Sequence, residues 1–512
     1  MTQLIATISL VVFILVMLGV GAFSARKAAT MDGFLLGGRS VGPWISAFAY
    51  GTSYFSAVIF IGYAGMHGWN IGLGSMWIGV GNAFLGCWLA WKVLAKRTRR
   101  MTRTLDARTM PEFFSARYNS RGMKLFSAAV IFIFLIPYSA SVYKGLGSMF
   151  SAIYGGADPK ICMLLVAVLT GIYLVMGGYV ATALNDFIQG IIMVGGLIAM
   201  ILILVYSPQV GGFSQVIPRL EAVNPQLIDL TGGPSASFLL TNVLLTSFGV
   251  WGLPQMVHKY YAIKDESSIR IATIVSTVFS IIIGAGAYFT GSLSRLFLTP
   301  NADGTPNVVG GFDGVMPTLL MEALTSNVFS MVILSIIMLL LLSASMSTLA
   351  AVVLSSSSAV SVDLIEDIHP MISEKRQMQW MRLLCVIFVA LSYFFATMNI
   401  SFIVNLMSFS WGVVAGSFIG PFMWGIYSKK VTKAGAWAGL LSGLIVVGGA
   451  MIYLCSTIGF AAAKAFAPQM GVSAMIFSVI VVPMVSLFTK KYSDEFTTKV
   501  FTYHEPKVIN RV

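Results

Sequence analysis

Residues 343–363 read S-A-S-M-S-T-L-A-A-V-V-L-S-S-S-S-A-V-S-V-D. They continue an apolar run that opens near Val328, and the segment from Val328 to about Val362 is long enough to cross a bilayer with tilt. Its second half is crowded with hydroxyls. A helix facing only lipid gains nothing from them, whereas a helix inside a bundle gains close approach and interhelical hydrogen bonds. Two uses fit: helix packing, or a cation site. Ser347 and Thr348 are adjacent, so both hydroxyls can face one neighbouring helix, and the Ala344 carbonyl lies one turn earlier. Neutral oxygens of this kind suit a hard, singly charged ion such as Na⁺, since Ca²⁺ usually recruits carboxylates. Such a site needs a second helix to supply the remaining oxygens.

Composition places that stretch in a membrane. The chain has 512 residues, 57% of them hydrophobic and 10% charged, with a mean hydropathy of +0.86. Apolar runs this long exceed barrel strands, so the expected fold is an all-α polytopic membrane protein. The net charge of +13 would suggest nucleic acid in a soluble chain. Here the basic residues sit in short loops between apolar spans, where they act as topology signals and anionic-lipid contacts. The four cysteines, Cys87, Cys162, Cys385 and Cys455, show no metal or redox spacing and read as small apolar residues. The first run, about 4–24, has no Lys or Arg before it and reads as a retained span, not a cleaved signal.

The pattern predicts about thirteen spans, near 4–24, 43–65, 72–94, 124–153, 160–177, 179–206, 236–258, 267–294, 328–362, 378–399, 402–427, 433–457 and 470–488. They form one transmembrane domain, about 1–488, followed by a polar tail, 489–512, in which no domain is expected. Lys and Arg gather in alternate loops: Arg26, Lys27 and Arg39; the cluster from Lys96 to Arg121; Lys259, Lys264 and Arg270; Lys375 and Arg376; Lys429, Lys430 and Lys433; and the tail to Lys507 and Arg511. The opposite loops offer little beyond Lys160, Arg219, Arg295 and Lys464. That asymmetry places the N-terminus outside and the C-terminus in the cytoplasm. Short helices are expected in the outer loops, one over the apolar residues from Phe213 to Leu220 and one at Met316–Leu324.

Two spans carry breaks. The second reads F-A-Y-G-T-S-Y-F-S-A from Phe48 to Ala57, with weak helix formers in mid-membrane. The seventh reads S-F-G-V-W-G-L-P-Q from Ser247 to Gln255, where Pro254 frees a carbonyl. Interrupted helices at matching places in two halves point to a transporter's midplane site. Spans two to six and seven to eleven each open with the broken member, the spacing of a five-plus-five inverted repeat over about 43–206 and 236–427.

These parts resemble the sodium/solute symporter family, which includes proline, pantothenate, sugar and sialic-acid carriers. The resemblance runs over about residues 5–490. It is carried by F-L-L-G-G-R-S-V-G-P-W (Phe34–Trp44), T-M-P-E-F-F-S-A-R-Y (Thr109–Tyr118), Y-L-V-M-G-G-Y-V-A-T-A-L-N-D-F-I-Q-G (Tyr173–Gly190), A-S-M-S-T-L (Ala344–Leu349) and S-S-S-A-V-S-V-D-L (Ser356–Leu364). It implies a leucine-transporter-type core with one extra span before it and two after. It also implies Na⁺ as coupling ion, held by Thr52, Phe55 and Ala344 carbonyls and the Ser347 and Thr348 hydroxyls. Asp186 is an intramembrane carboxylate, expensive and usually functional, unless it lies solvated at the cytoplasmic end. In the family this Asp lines the sodium exit path. Some members use it for a second sodium with hydroxyls where this chain has Ala350 and Ala351, so the resemblance argues against a second ion of that type. Gln189 lies on the same face and is a candidate partner for Asp186.

Substrate is less legible. Proline carriers of the family have Asp-Met-Ser at the first break, where this chain has Tyr54, Phe55 and Ser56. That departure counts against proline, while Tyr54 and the Gly252-Leu253-Pro254 run are shared with pantothenate carriers. Lys144 either snorkels to the outer surface or faces the cavity and pairs with an anionic substrate group. With Tyr138, Ser141, Tyr143, Ser56, Trp251 and Gln255 it would form a polar and aromatic pocket. The expected cargo is a small organic carboxylate, pantothenate-like or a monocarboxylate, or an amino acid. The alternatives are a sugar carrier of the same family or a transporter-like sensor acting with a separate partner. His258 reads as an interfacial side chain. A channel would show a repeated pore motif or charged rings, and an enzyme a catalytic constellation; neither pattern is visible, and the expected assembly is a monomer or loose oligomer.

Overall fold

The computed structural model describes residues 2–324, 328–398 and 400–502. Lys507 and Arg511 lie outside them. Among the described residues all regular structure is helical, apart from isolated bridges between Val41 and Ile263 and between Pro300 and Pro306.

The first helix, α1 (Thr2–Ser24), leads into α2 (Pro43–Tyr54), whose Pro43 sits where a helix needs no amide donor. Then come α3 (58–71), α4 (76–104), α5 (Met110–Tyr118), α6 (Arg121–Ile153), α7 (159–177) and α8 (179–205). The second half holds α9 (Ala236–Gly252), α10 (Pro254–Ala262), α11 (Glu266–Ser292), α12 (Val315–Leu324), α13 (Val328–Val360), α14 (Glu374–Thr397) and α15 (Ile403–Tyr427). Two more, α16 (Lys433–Ile458) and α17 (Ala467–Phe488), follow. The two expected loop helices are present as Phe213–Val223 and as α12. The tail carries a helix that its polarity concealed, Asp494–Phe501, and Tyr492 beside it donates to the Tyr118 carbonyl at 2.6 Å.

Continuous helix among the described residues gives eleven membrane-length runs, not thirteen, because two of them are 47 residues long. A straight helix of that length would be ~70 Å, over twice the apolar thickness of a bilayer. Each run contains a glycine that no straight helix accommodates: Gly72 (φ 70°, ψ −139°) between α3 and α4, and Gly178 (φ 52°, ψ −144°) between α7 and α8. A Cβ at Gly178 would stand 2.7 Å from the Phe34 carbonyl oxygen. Two of the sequence motifs quoted above therefore meet at one close approach.

The serine-rich α13 is central. Of its most apolar window 89% is buried, against 28% for α1, so α13 is enclosed by protein while α1 lies at the lipid edge. Both breaks fall where expected. The turn after α2 leaves Phe55 extended (φ −104°, ψ 104°), and Ser56 Oγ accepts the Val58 amide at 3.2 Å to restart the helix. Leu253 is extended (φ −79°, ψ 123°) because the ring of Pro254 disfavours helical geometry in the residue before it. All nine residues of α10 are buried. This corrects two expectations: His258 and Lys259 are not at an interface but inside, because α10 is enclosed on every face. His258 packs against the Tyr179 ring at 5.2 Å.

Candidate sodium and substrate site

The hydroxyl pair of α13 meets the end of α2. Ser347 Oγ lies 3.0 Å from the Thr52 carbonyl oxygen and 3.1 Å from that of Ala344. Thr348 Oγ1 lies 3.3 Å from the carbonyl oxygens of Thr52 and Ser53 and 3.1 Å from that of Ala344. Five neutral oxygens thus converge in a fully buried place. The α2 carbonyls are available because the helix stops at Tyr54, so the amides that would have bonded them are missing. The hydroxyl protons now point at those carbonyls. Turned away, they leave an oxygen cage with no carboxylate, suited to one alkali ion. Four of the five expected ligand residues are drawn together. Phe55 sits at the break itself, its amide bonded to the Gly51 carbonyl at 3.1 Å. The Ser53 carbonyl was missed, because sequence does not tell which of the last helical carbonyls faces the neighbour.

Beside the break lies a small cavity of about 20 Å³. Ser56, Tyr138, Phe55, Trp411, Asn82 and Thr246 are among its walls, and no charged side chain lines it. That volume holds about one water, so a substrate enters only if these side chains move apart. The Tyr54 hydroxyl donates to the Thr246 carbonyl at 2.7 Å, tying the first broken helix to α9. Of the substrate residues expected from sequence, Ser56 and Tyr138 line this cavity and the others do not. Ser141 Oγ donates to the Tyr138 carbonyl (2.6 Å), and Trp251 Nε1 to the Leu85 carbonyl (3.0 Å). Gln255 is buried, without a hydrogen-bond partner among the described residues.

Lys144 lies elsewhere. It lines a vestibule of about 770 Å³ together with Lys160, Lys464, Phe402 and Asp313. Its ammonium is 3.1 Å from Asp313 Oδ2 and donates to the Ser401 carbonyl at 2.6 Å. Asp313 also accepts the Ile403 amide at 3.3 Å, at the start of α15. It belongs to a loop, and burial raises its carboxyl above the ordinary range against the pull of Lys144 and that amide. One ion pair thus ties α6, that loop and α15 together. Sequence could not show this partner, 169 residues away by subtraction of the two numbers.

Asp186 is fully buried on α8, and Lys259 Nζ stands 3.7 Å from its Oδ2. Gln189 is not its partner: Gln189 Nε2 lies 3.3 Å from Met17 Sδ, on α1.

The profile of the sodium:solute symporter family matches residues 34–443. The chain is 27% identical over 488 residues to the osmoregulated proline transporter of Bacillus subtilis (strain 168), covering 94% of this chain and 95% of that one. It is 26% identical over 440 residues to the sodium/proline symporter of Escherichia coli (strain K12), covering 85% and 86%. Among solved structures, a substrate-bound, outward-open Na⁺-coupled sialic acid symporter superposes with a TM-score of 0.74 at 17% identity, over 95% of this chain and 98% of that one. That likeness shows the leucine-transporter-type fold. With the profile running through both breaks and the serine-rich helix, the chain belongs to the sodium:solute symporter family, whose members couple a small solute to Na⁺.

Proposed function

We propose that this symporter imports a small organic carboxylate or an amino acid by alternating access. It does so across the plasma membrane, with its N-terminus outside and its C-terminus in the cytoplasm. One observation carries the mechanism: the Ser347 and Thr348 hydroxyls lie against the free carbonyls at the end of α2. Na⁺ at that place bonds α2 to α13 and favours the state in which the two are together. Substrate then binds at the adjoining break, and the coupling is reciprocal, each ligand raising the other's affinity by the same factor. The ion leaves inward past Asp186.

The break favours a carboxylate. The amides opening the half-helix after Phe55 carry the positive end of a helix dipole, which attracts an anionic group without a lysine. Tyr138 and Trp411, in edge-to-face contact at 5.6 Å, supply an apolar wall for the rest of the molecule. Lys144, held by Asp313, takes a place on the entry route instead of in the pocket. Proline, the solute for which these relatives are named, falls within this class; Tyr54, Phe55 and Ser56 are the residues that decide for or against it.

Uptake by proteoliposomes of a panel of labelled carboxylates, amino acids including proline, and sugars, with and without an inward Na⁺ gradient, tests this reading. Na⁺-dependent accumulation of one carboxylate or amino acid is expected. Accumulation of a neutral sugar alone, or uptake indifferent to Na⁺, defeats it.

A further inference from the structure

Asp186 poses an electrostatic problem. Its side chain is fully buried inside a span, and among the described residues neither carboxylate oxygen has a hydrogen-bond partner. A buried carboxylate without donors is stable as an anion only beside a cation. The Lys259 ammonium, 3.7 Å away, is equally enclosed, its side chain 2% exposed, and it lies 5.1 Å from the centre of the Tyr179 ring. A lysine buried this deeply costs several kcal/mol unless paired. Each residue therefore explains the burial of the other.

The pair stands on the ion's way. Gly190, one turn beyond Asp186 on α8, packs against Thr52, a Cβ there falling 3.1 Å from Thr52 Cγ2. Asp186 is thus one helical turn from a residue packed against the side chain of Thr52, whose carbonyl faces the hydroxyl pair. Lys259 rides on α10, the half-helix after the second break, so the pair also joins that half-helix to α8.

We infer that Lys259 is a tethered cation occupying the role a second Na⁺ would otherwise take at Asp186, so that this chain binds one Na⁺ and not two. The inference rests on the sodium site proposed above. It gives that site a release step. A departing ion reaches Asp186 only by displacing the ammonium, and the ammonium returns when the ion has gone. The carboxylate keeps one counter-charge throughout.

The test counts ²²Na⁺ bound at saturation per purified full-length chain, in choline buffer at pH 8.5. Wild type is expected to bind one ion and Lys259→Met two. The double variant Asp186→Asn/Lys259→Met should return to one, and Lys259→Arg should stay at one. If Lys259→Met does not fold, Lys259→Gln is scored the same way. The transposed variant Asp186→Lys/Lys259→Asp, which keeps a pair, should hold one. One ion in folded Lys259→Met or Lys259→Gln overturns the proposal, as do two ions in wild type or in the transposed variant. Ser347→Ala is run alongside. If its ion binds with unchanged affinity, the sodium site itself is wrong, whereas the counts from the Lys259 variants judge the tethered cation separately.

Discussion

The Ser347 hydroxyl lies 3.0 Å from the carbonyl oxygen of Thr52, across 295 residues of chain. Both groups are buried, and both belong to helices whose local chemistry leaves an oxygen free. The proposed transport mechanism depends on that meeting, and the first prediction addresses it. Ser347→Ala or Thr348→Ala removes one oxygen of the cage. A charge-assisted contact of this kind is worth about 1.5–3 kcal/mol, so the Na⁺ concentration for half-maximal uptake should rise roughly ten- to a hundredfold. Uptake rate against Na⁺ concentration measures it, and unchanged curves in both variants would remove the site.

The Lys144–Asp313 ion pair gives a second. Lys144→Ala leaves the buried Asp313 carboxylate alone and should lower stability by about 1–3 kcal/mol, less than a fully buried pair because the Lys144 side chain keeps 18% exposure. Asp313→Asn removes a charge that burial disfavours and should cost less. Lys144→Arg should be milder. The double variant should cost less than the sum of the singles, read from thermal unfolding in detergent. Additive losses would mean that the two side chains do not act together.

Acid acts on the same pair. Burial raises the Asp313 carboxyl, so it takes up a proton at a pH where exposed aspartates, near 4, remain charged. A raised folded-state value means that protonation favours the folded chain, so acid releases Lys144 without unfolding the protein. Wild-type uptake should therefore change with pH above that range, and the change should be absent in Asp313→Asn. An identical pH profile in the two proteins would contradict the assignment.

A fourth prediction concerns close packing of the two halves. A Cβ on Gly291 of α11 would stand 2.1 Å from the Ala64 carbonyl oxygen of α3. Backbone cannot yield as a side chain can. Gly291→Ala should therefore cost about 3 kcal/mol or more. Gly448→Ala on α16 meets nothing within 4 Å and should be neutral or stabilising by up to about 1 kcal/mol. Melting temperatures of the two variants decide this.

The fifth is local. Asp265 caps α11, accepting the Ser268 amide at 2.8 Å and the Ser267 hydroxyl at 2.7 Å, and these bonds hold its carboxyl down to about 2. Asp265→Ala should cost about 1 kcal/mol and Asp265→Asn much less. Because the folded-state value is depressed, the cap's contribution is complete above the ordinary aspartate range and fades as pH falls toward 2. A melting-temperature difference between wild type and Asp265→Ala that stays constant from pH 7 to 3 and below would argue against the cap.

Much of this protein is written locally. Apolar runs of bilayer length set the all-helical class, and Pro254 and the Gly51–Ser56 region set the two breaks. The adjacent hydroxyls of Ser347 and Thr348 marked one half of the ion site. Each of these follows from residues within a turn or two of one another, because helix formation, helix interruption and the facing of side chains are short-range matters. Tertiary structure decided the rest. It chose Ser53 as well as Thr52 to face α13, turned the Lys144 ammonium to Asp313, and buried Lys259 against Asp186. In every such case the deciding contact spans many residues of chain, and a charge far along the sequence becomes a partner only when packing excludes water from between the two.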